Sequence, residues 1–183
     1  RNQRKGRALS INKLAEQKKN KSEQQKTLLA DSQRLQTLIQ NLALEAAGFD
    51  GSSIADIKGV LPAPLQGVLT HRFGEQRAGG GLSWRGIKIN AELGTPVTAI
   101  FRGRVVFADW LRGFGLMTII DHGNGYMTMY GFCDTLSKKT GDWIESGEMV
   151  GSAGSSGGQG EPGVYFELRH DGKVSNPAKW LKL

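Results

Sequence analysis

The chain has 183 residues, enough for one domain of ordinary size with an appendage. No run reaches the ~18 apolar residues of a membrane-spanning helix, so none is expected to cross a bilayer; Arg1 is not a natural start, so the chain reads as a piece of a longer protein. The formal charge of +7 sits entirely in residues 1–26, which hold nine Lys/Arg against two Glu, while residues 27–183 hold fifteen of each sign. Nucleic acid needs a basic face with aromatic or polar readers, and residues 1–26 contain no aromatic side chain. Glycine is abundant (26) and proline scarce (5), which suits a turn-rich β domain. The single cysteine, Cys133, forbids an internal disulfide and reads as a buried small apolar side chain.

Residues 1–26 have only Leu9, Ile11 and Leu14 as sizeable apolar side chains. They are expected to form a frayed helix or the tail of an upstream one. From Thr27 the pattern changes. Leu28, Leu35, Leu38, Ile39, Leu42 and Ala46 fall on one helical face, with Asp31 interrupting the stripe and Gly48 placed as a C-cap. This predicts a helix of roughly 20 residues that must pack on something. Two readings stay open: the last heptads of a coiled coil, or a helix lying across a groove of the following domain. The segment 49–66, with Gly51, Ser52, Ser53, Gly59, Pro62 and Pro64, reads as a linker.

Beyond it, short strands alternate with glycine turns. They are expected at Gly86–Ile89, Val97–Ile100, Gly103–Leu111, Leu116–Asp121, Tyr126–Gly131, Glu148–Ser152 and Gly163–Arg169, and Asn124-Gly125 is a two-residue hairpin signal. In the last of these strands Val164, Phe166 and Leu168 point one way, and Tyr165 and Glu167 the other. The fold class is therefore mainly β: a compact antiparallel domain over 67–183, a linker over 49–66, and one or two helices over 1–48.

The motifs of residues 67–183 resemble, in order, those of the LytM, or M23-type, zinc peptidoglycan endopeptidases. Thr70-His71-Arg72-Phe73-Gly74 is similar to that family's SRFG segment, and Gly94-Thr95-Pro96-Val97 with Gly103-Arg104-Val105 to its GTPV…GxV hairpin. Asp121–Tyr126 with Tyr130-Gly131 resembles its HGNGY…Y(A/G)H strand pair, and Asn176-Pro177 with Trp180-Leu181 its closing motif. The resemblance places the zinc chemistry on five positions, and none matches. The HxGxD ligands fall on Trp84 and Lys88, the histidine after Tyr-Gly on Phe132, and the final His-x-His on Gly163 and Tyr165. A catalytic zinc needs three lone-pair side chains and an open position. Trp, Phe and Gly offer none, and Lys88 would repel the cation. His71, His122 and His170 read as ordinary surface or turn histidines, and Cys133 has no histidine at a recognised catalytic spacing. No metal and no cofactor is expected, and the domain reads as catalytically inactive.

Where a zinc site would lie on a groove floor, the sequence puts Trp84, Phe132 and Tyr165, with the cations Lys88, Arg85 and Arg169 nearby and Phe114 at the rim. Aromatics with cations dominate protein-binding hot spots, and an apolar trough can accept an amphipathic helix. Filling the space vacated by the metal shell is the plainer alternative for the aromatics, and solubility for the cations. SWRGIKI, ADWLRGFG, MYGF, GSSGGQG and VYFELR are similar to the degenerate LytM domains of cell-division amidase activators. That resemblance implies a periplasmic, non-enzymatic protein recruited to the division septum. Its groove would bind the helix that blocks the zinc site of an N-acetylmuramoyl-L-alanine amidase. It also implies contact with the FtsEX complex through an upstream coiled coil, most of which lies outside this chain. Members of this group cover the groove with a helix of their own, for which Leu35, Leu38, Ile39 and Leu42 are the candidates. A zinc endopeptidase with atypical ligands and a passive peptidoglycan-binding module are the alternative functions.

Overall fold

A computed structural model describes residues 2–45, 53–77, 81–158 and 160–183, with side chains from Lys13 onward except that of Glu45. Residues 2–26 and the apolar stripe form one continuous helix, α1 (Asn2–Glu45), of 44 residues and so about 66 Å long. This is more than twice the length expected from the stripe alone. Lysine, glutamine and leucine propagate a helix once packing nucleates it, so the polar lead-in continues as helix although residues 13–24 are all exposed. Ala46 and Gly48 lie outside the described residues.

Among the described residues thirteen strands follow: β1 (Leu61–Pro62), β2 (Val68–His71), β3 (Ile87–Asn90), β4 (Pro96–Thr98), β5 (Gly103–Leu111), β6 (Gly115–Asp121), β7 (Tyr126–Cys133), β8 (Thr135–Leu136), β9 (Trp143–Ile144), β10 (Met149–Ser152), β11 (Gly163–His170), β12 (Lys173–Ser175) and β13 (Leu181–Lys182). The main sheet runs β2-β3-β11-β7-β6-β5-β9 with β12 on β11; β4-β10-β8 make a smaller sheet, and β1 pairs with β13. Pairing in the two larger sheets is antiparallel, as expected, while β1–β13 is parallel. The β6–β7 hairpin turns on Asn124-Gly125, with φ of 50° and 76° and a bond from Tyr126 N to Gly123 O, the geometry of a primed turn.

The main sheet is apolar on both faces. On one face Ile87, Ile89, Val105, Ile120, Val164, Phe166 and Leu168 pack with Val97 and Val150 of the smaller sheet. On the other, Met117, Ile119, Met127, Met129 and Tyr165 pack with Leu35 and Ile39 of α1. The alternation of β11 is as read from sequence. The segment expected as a linker is not free of the domain from Ser53 onward. Ser53 caps a 3-10 turn (Ile54–Ile57), and Ile54, Leu61 and Leu65 are buried in the first core. Gly59 and Pro64 lie in turns or bends as expected, whereas Pro62 lies in β1 and Gly51 and Ser52 lie outside the described residues; three apolar side chains suffice to dock the segment. His122 also departs from expectation. It is a buried residue, with Nδ1 2.7 Å from the Arg102 carbonyl and Nε2 2.7 Å from Thr128 Oγ1. Among the described residues, no helix is long and apolar enough to cross a membrane.

Candidate partner-binding groove

The helix-facing side of the main sheet carries an aromatic floor centred on Tyr165. Its ring centroid lies 5.3 Å from Phe114, 5.5 Å from Phe132 and 6.0 Å from Trp84. Tyr165 stands opposite Lys88 on β3 and Gly131 on β7. Phe132 has a φ of 65°, held by its N–H bond to Phe114 O. A bulky residue in that region costs about 1–3 kcal/mol and persists only where the surroundings impose it. Trp84 carries His71 stacked at 4.5 Å and the Arg77 guanidinium at 4.3 Å from its ring. Phe114, expected at the rim, is buried on the floor, its carbonyl accepting from Phe132 N–H of β7 at 2.7 Å.

Polar chemistry runs along one edge of the floor. The Tyr165 hydroxyl donates to Glu167, and Arg169 Nε donates to the other oxygen of the same carboxylate. Burial, then the Glu167 charge, raise the Tyr165 phenol well above its ordinary value, so it stays a donor. Arg169 Nη1 reaches the Gly172 carbonyl at 3.2 Å and Gln36 Oε1 of α1 at 2.6 Å. Arg169 was placed near the groove, with plain solubility as the alternative; it is 0% exposed. Its burial is tolerable because Glu167 is buried beside it as a counter-ion. Lys88 is buried too, its ammonium donating to the Glu161 carbonyl at 3.0 Å. Burial lowers its pKa, which the Glu161 charge opposes. Arg85 is exposed but lines the same recess as Phe114, Tyr165 and Glu167.

Helix α1 lies over this floor. Leu35 and Ile39 are 1% and 0% exposed, and Leu38 and Leu42 are half-buried against the same cluster. Asp31, which breaks the apolar stripe, is buried rather than turned outward. Its carboxylate pairs with Arg34 Nη1 at 2.6 Å and lies 3.8 Å from Arg112 Nε, above Gly113. Gly113 has a φ of 85°, and a Cβ on it would come 2.5 Å from the Asp31 carboxylate, so the turn admits the helix only as glycine. Toward the N-terminal side of Asp31 the groove remains open as a cavity of about 780 Å³, with Glu23, Thr27, His71, Arg77 and Trp84 on its walls.

The structure thus brings Trp84, Phe114, Phe132, Tyr165 and Arg169 under one helix, with Lys88 opposite Tyr165 on β3 and Arg85 at the margin. Sequence reasoning missed Glu167, Gln36, Arg77 and the role of His71. Glu167 was legible, since alternation puts it on the face of Tyr165 and Arg169. Arg77 and Gln36 carry no motif. The donor set does not fit a zinc ion. Trp84, Lys88, Phe132 and Gly163 supply no suitable lone pair, and the Tyr165 phenol is held protonated against Glu167. Among the described residues no three His, Cys, Asp or Glu side chains are placed to hold a metal.

Residues 82–177 match the family model Peptidase family M23. The chain belongs to that family. Within M23 it is 45% identical over 118 residues to the murein hydrolase activator EnvC of Escherichia coli, covering 64% of this chain and 28% of that protein. It is 32% identical over 119 residues to the murein hydrolase activator NlpD of the same organism, covering 64% and 30%. The chain therefore spans less than a third of these curated relatives. A solved M23 catalytic domain, a mutant of the prophage-encoded protein EnpA from Enterococcus faecalis, superposes with a TM-score of 0.56 at 33% identity, covering 63% of this chain and 94% of that one. The EnvC-type, LytM-domain character read from the motifs is borne out.

Proposed function

We propose that this M23 domain is a non-catalytic activator of periplasmic N-acetylmuramoyl-L-alanine amidases in septal peptidoglycan splitting. In this reading the groove takes up the helix that blocks an amidase's zinc site, and α1 holds the groove closed until displaced. Recruitment to the septum through FtsEX, by coiled coil upstream, belongs to the same proposal. The observation that supports it is the seating of α1: an amphipathic helix packs Leu35 and Ile39 into one cluster with Trp84, Phe114, Phe132 and Tyr165, three of which the motif resemblance assigns to the family's zinc chemistry. A floor that accepts one such helix has the shape and chemistry to accept another. The names of EnvC and NlpD support the activator role.

Activation is then selection by differential affinity: the groove favours the unblocked amidase by binding its released helix, by a few kcal/mol. A dye-release assay on purified peptidoglycan tests it. The chain alone releases nothing; it raises release by a division amidase, and deletion of residues 1–48 raises it further. Release by the isolated chain, or no effect on the amidase with or without residues 1–48, defeats the proposal.

A further inference from the structure

Arg169 makes the closed groove an imperfect fit for its own helix. Its Nε is taken by Glu167, and its Nη1 by Gln36 and the Gly172 carbonyl. Its Nη2, equally buried, has no hydrogen-bond partner among the described residues. Gln36 meets Arg169 through a single bond, Oε1 to Nη1. A side-chain amide ends in one acceptor and one donor, so once Oε1 has accepted from Nη1 the other terminal atom cannot receive Nη2. A carboxylate of the same shape ends in two acceptors and engages a guanidinium with both. The floor also favours negative charge. Arg169, Lys88 and Arg77 stand there, and although Glu167 pairs with Arg169 and the charges of Glu161 and Asp31 are felt by Lys88 and Arg77, Glu167 is the carboxylate among the described residues that directly bonds the floor's arginine.

Resting on the reading that α1 is exchanged for a partner's helix, we infer that the incoming helix is acidic at the place of Gln36. It presents a Glu or Asp to Nη1 and Nη2 of Arg169, flanked by apolar residues at the places of Leu35, Leu38, Ile39 and Leu42. The groove is closed by a second-best ligand and opened by a better one. The buried Nη2 left over by Gln36 weakens the closed state, and its capture gives the partner its advantage over a tethered competitor of similar apolar content. A helix matching the apolar pattern but carrying a neutral residue or a lysine at that place does not displace α1.

The test uses the full chain and two 19-residue peptides copying residues 27–45, one with Gln and one with Glu at position 36. Binding is read by fluorescence anisotropy of the labelled peptide. Displacement of α1 is read by hydrogen exchange. The Glu peptide binds about tenfold more tightly than the Gln peptide, the scale of one charge-assisted hydrogen bond, and Arg169→Lys in the full chain erases that difference. Gln36→Glu in the full chain slows exchange of α1 by a similar factor. Equal affinity of the two peptides, weaker binding of the Glu peptide, or a preference that survives Arg169→Lys overturns the inference. No amidase enters these measurements, so failure of the activator reading would appear separately, as loss of stimulation in the peptidoglycan assay with the peptide preference intact.

Discussion

Replacing Leu35 and Ile39 together by alanine should open the groove without unfolding the domain. Both side chains are fully buried between α1 and the sheet, and neither touches the opposite core. Burying or deleting a core Leu or Ile is worth about 2–5 kcal/mol. The low end applies here, because water can enter a helix–groove interface where it cannot enter a closed core. The two residues are one turn apart and share neighbours, so their effects do not fully add. About 3 kcal/mol for the pair is a reasonable sum, and at ~1.4 kcal/mol per decade that raises the opening constant roughly a hundredfold. Hydrogen exchange should show it directly: amides of residues 31–42 exchange about a hundredfold faster, while those of β7 and β11 keep their protection. Amidase stimulation at fixed protein concentration should rise in parallel. If β7 and β11 lose protection together with α1, helix and sheet form one cooperative unit and the argument is wrong. Unchanged exchange in α1 would refute the energetic assignment of Leu35 and Ile39.

Gly113→Ala combines a left-handed backbone with a Cβ thrust at Asp31, so it should release α1 and raise amidase stimulation, with Asp31→Asn acting in the same direction more weakly; lowered stimulation by either would contradict the seating described. Lys88→Glu should abolish stimulation by reversing the charge beside Tyr165, and a normal response to this variant would remove Lys88 from the partner-binding groove. Tyr165→Phe strips the Glu167 carboxylate of one donor, a loss of about 1–3 kcal/mol for a buried acceptor left short, to be read as a lower denaturation midpoint. His122 is held at a pKa of about 4 by burial, against its ordinary 6.5. The unfolded chain therefore binds the proton first, and stability present above pH 6.5 is lost as the pH falls from 6.5 to 4, by up to about 3 kcal/mol. A melting-temperature profile over that range should flatten in His122→Gln, and an unchanged slope would assign the pH dependence to other groups.

Much of this was legible in the chain because it rests on local rules. Alternation in Val164–Leu168 assigned the two faces of β11, Asn124-Gly125 set the hairpin, and the stripe Leu35, Leu38, Ile39 and Leu42 marked the buried side of α1. What escaped depends on pairs distant in sequence. Nothing near Arg169 announces Gln36, 133 residues earlier, and without Glu167 as counter-ion a buried arginine is the improbable choice. The same reasoning turned Asp31 into an interruption of the stripe, when Arg34, Arg112 and the bare backbone of Gly113 make it part of the seat. His122 looked like a turn residue because its partners, the Arg102 carbonyl and Thr128, flank it only after the hairpin folds.

The placement of the two cores explains how such a groove could open at all. A sheet buried on both faces is ordinarily one cooperative body, and uncovering one side would unfold it. Here the face away from α1 is closed by chain segments on both sides of the main sheet's strands: Ile54, Leu61 and Leu65 before them and Trp180 and Leu181 after them, joined by the parallel β1–β13 pair. That core keeps every one of its partners when α1 leaves. The cost of opening is confined to Leu35, Ile39, their half-buried neighbours and a few polar contacts. It is a sum of a few kcal/mol, the range that a competing helix of comparable apolar area can supply.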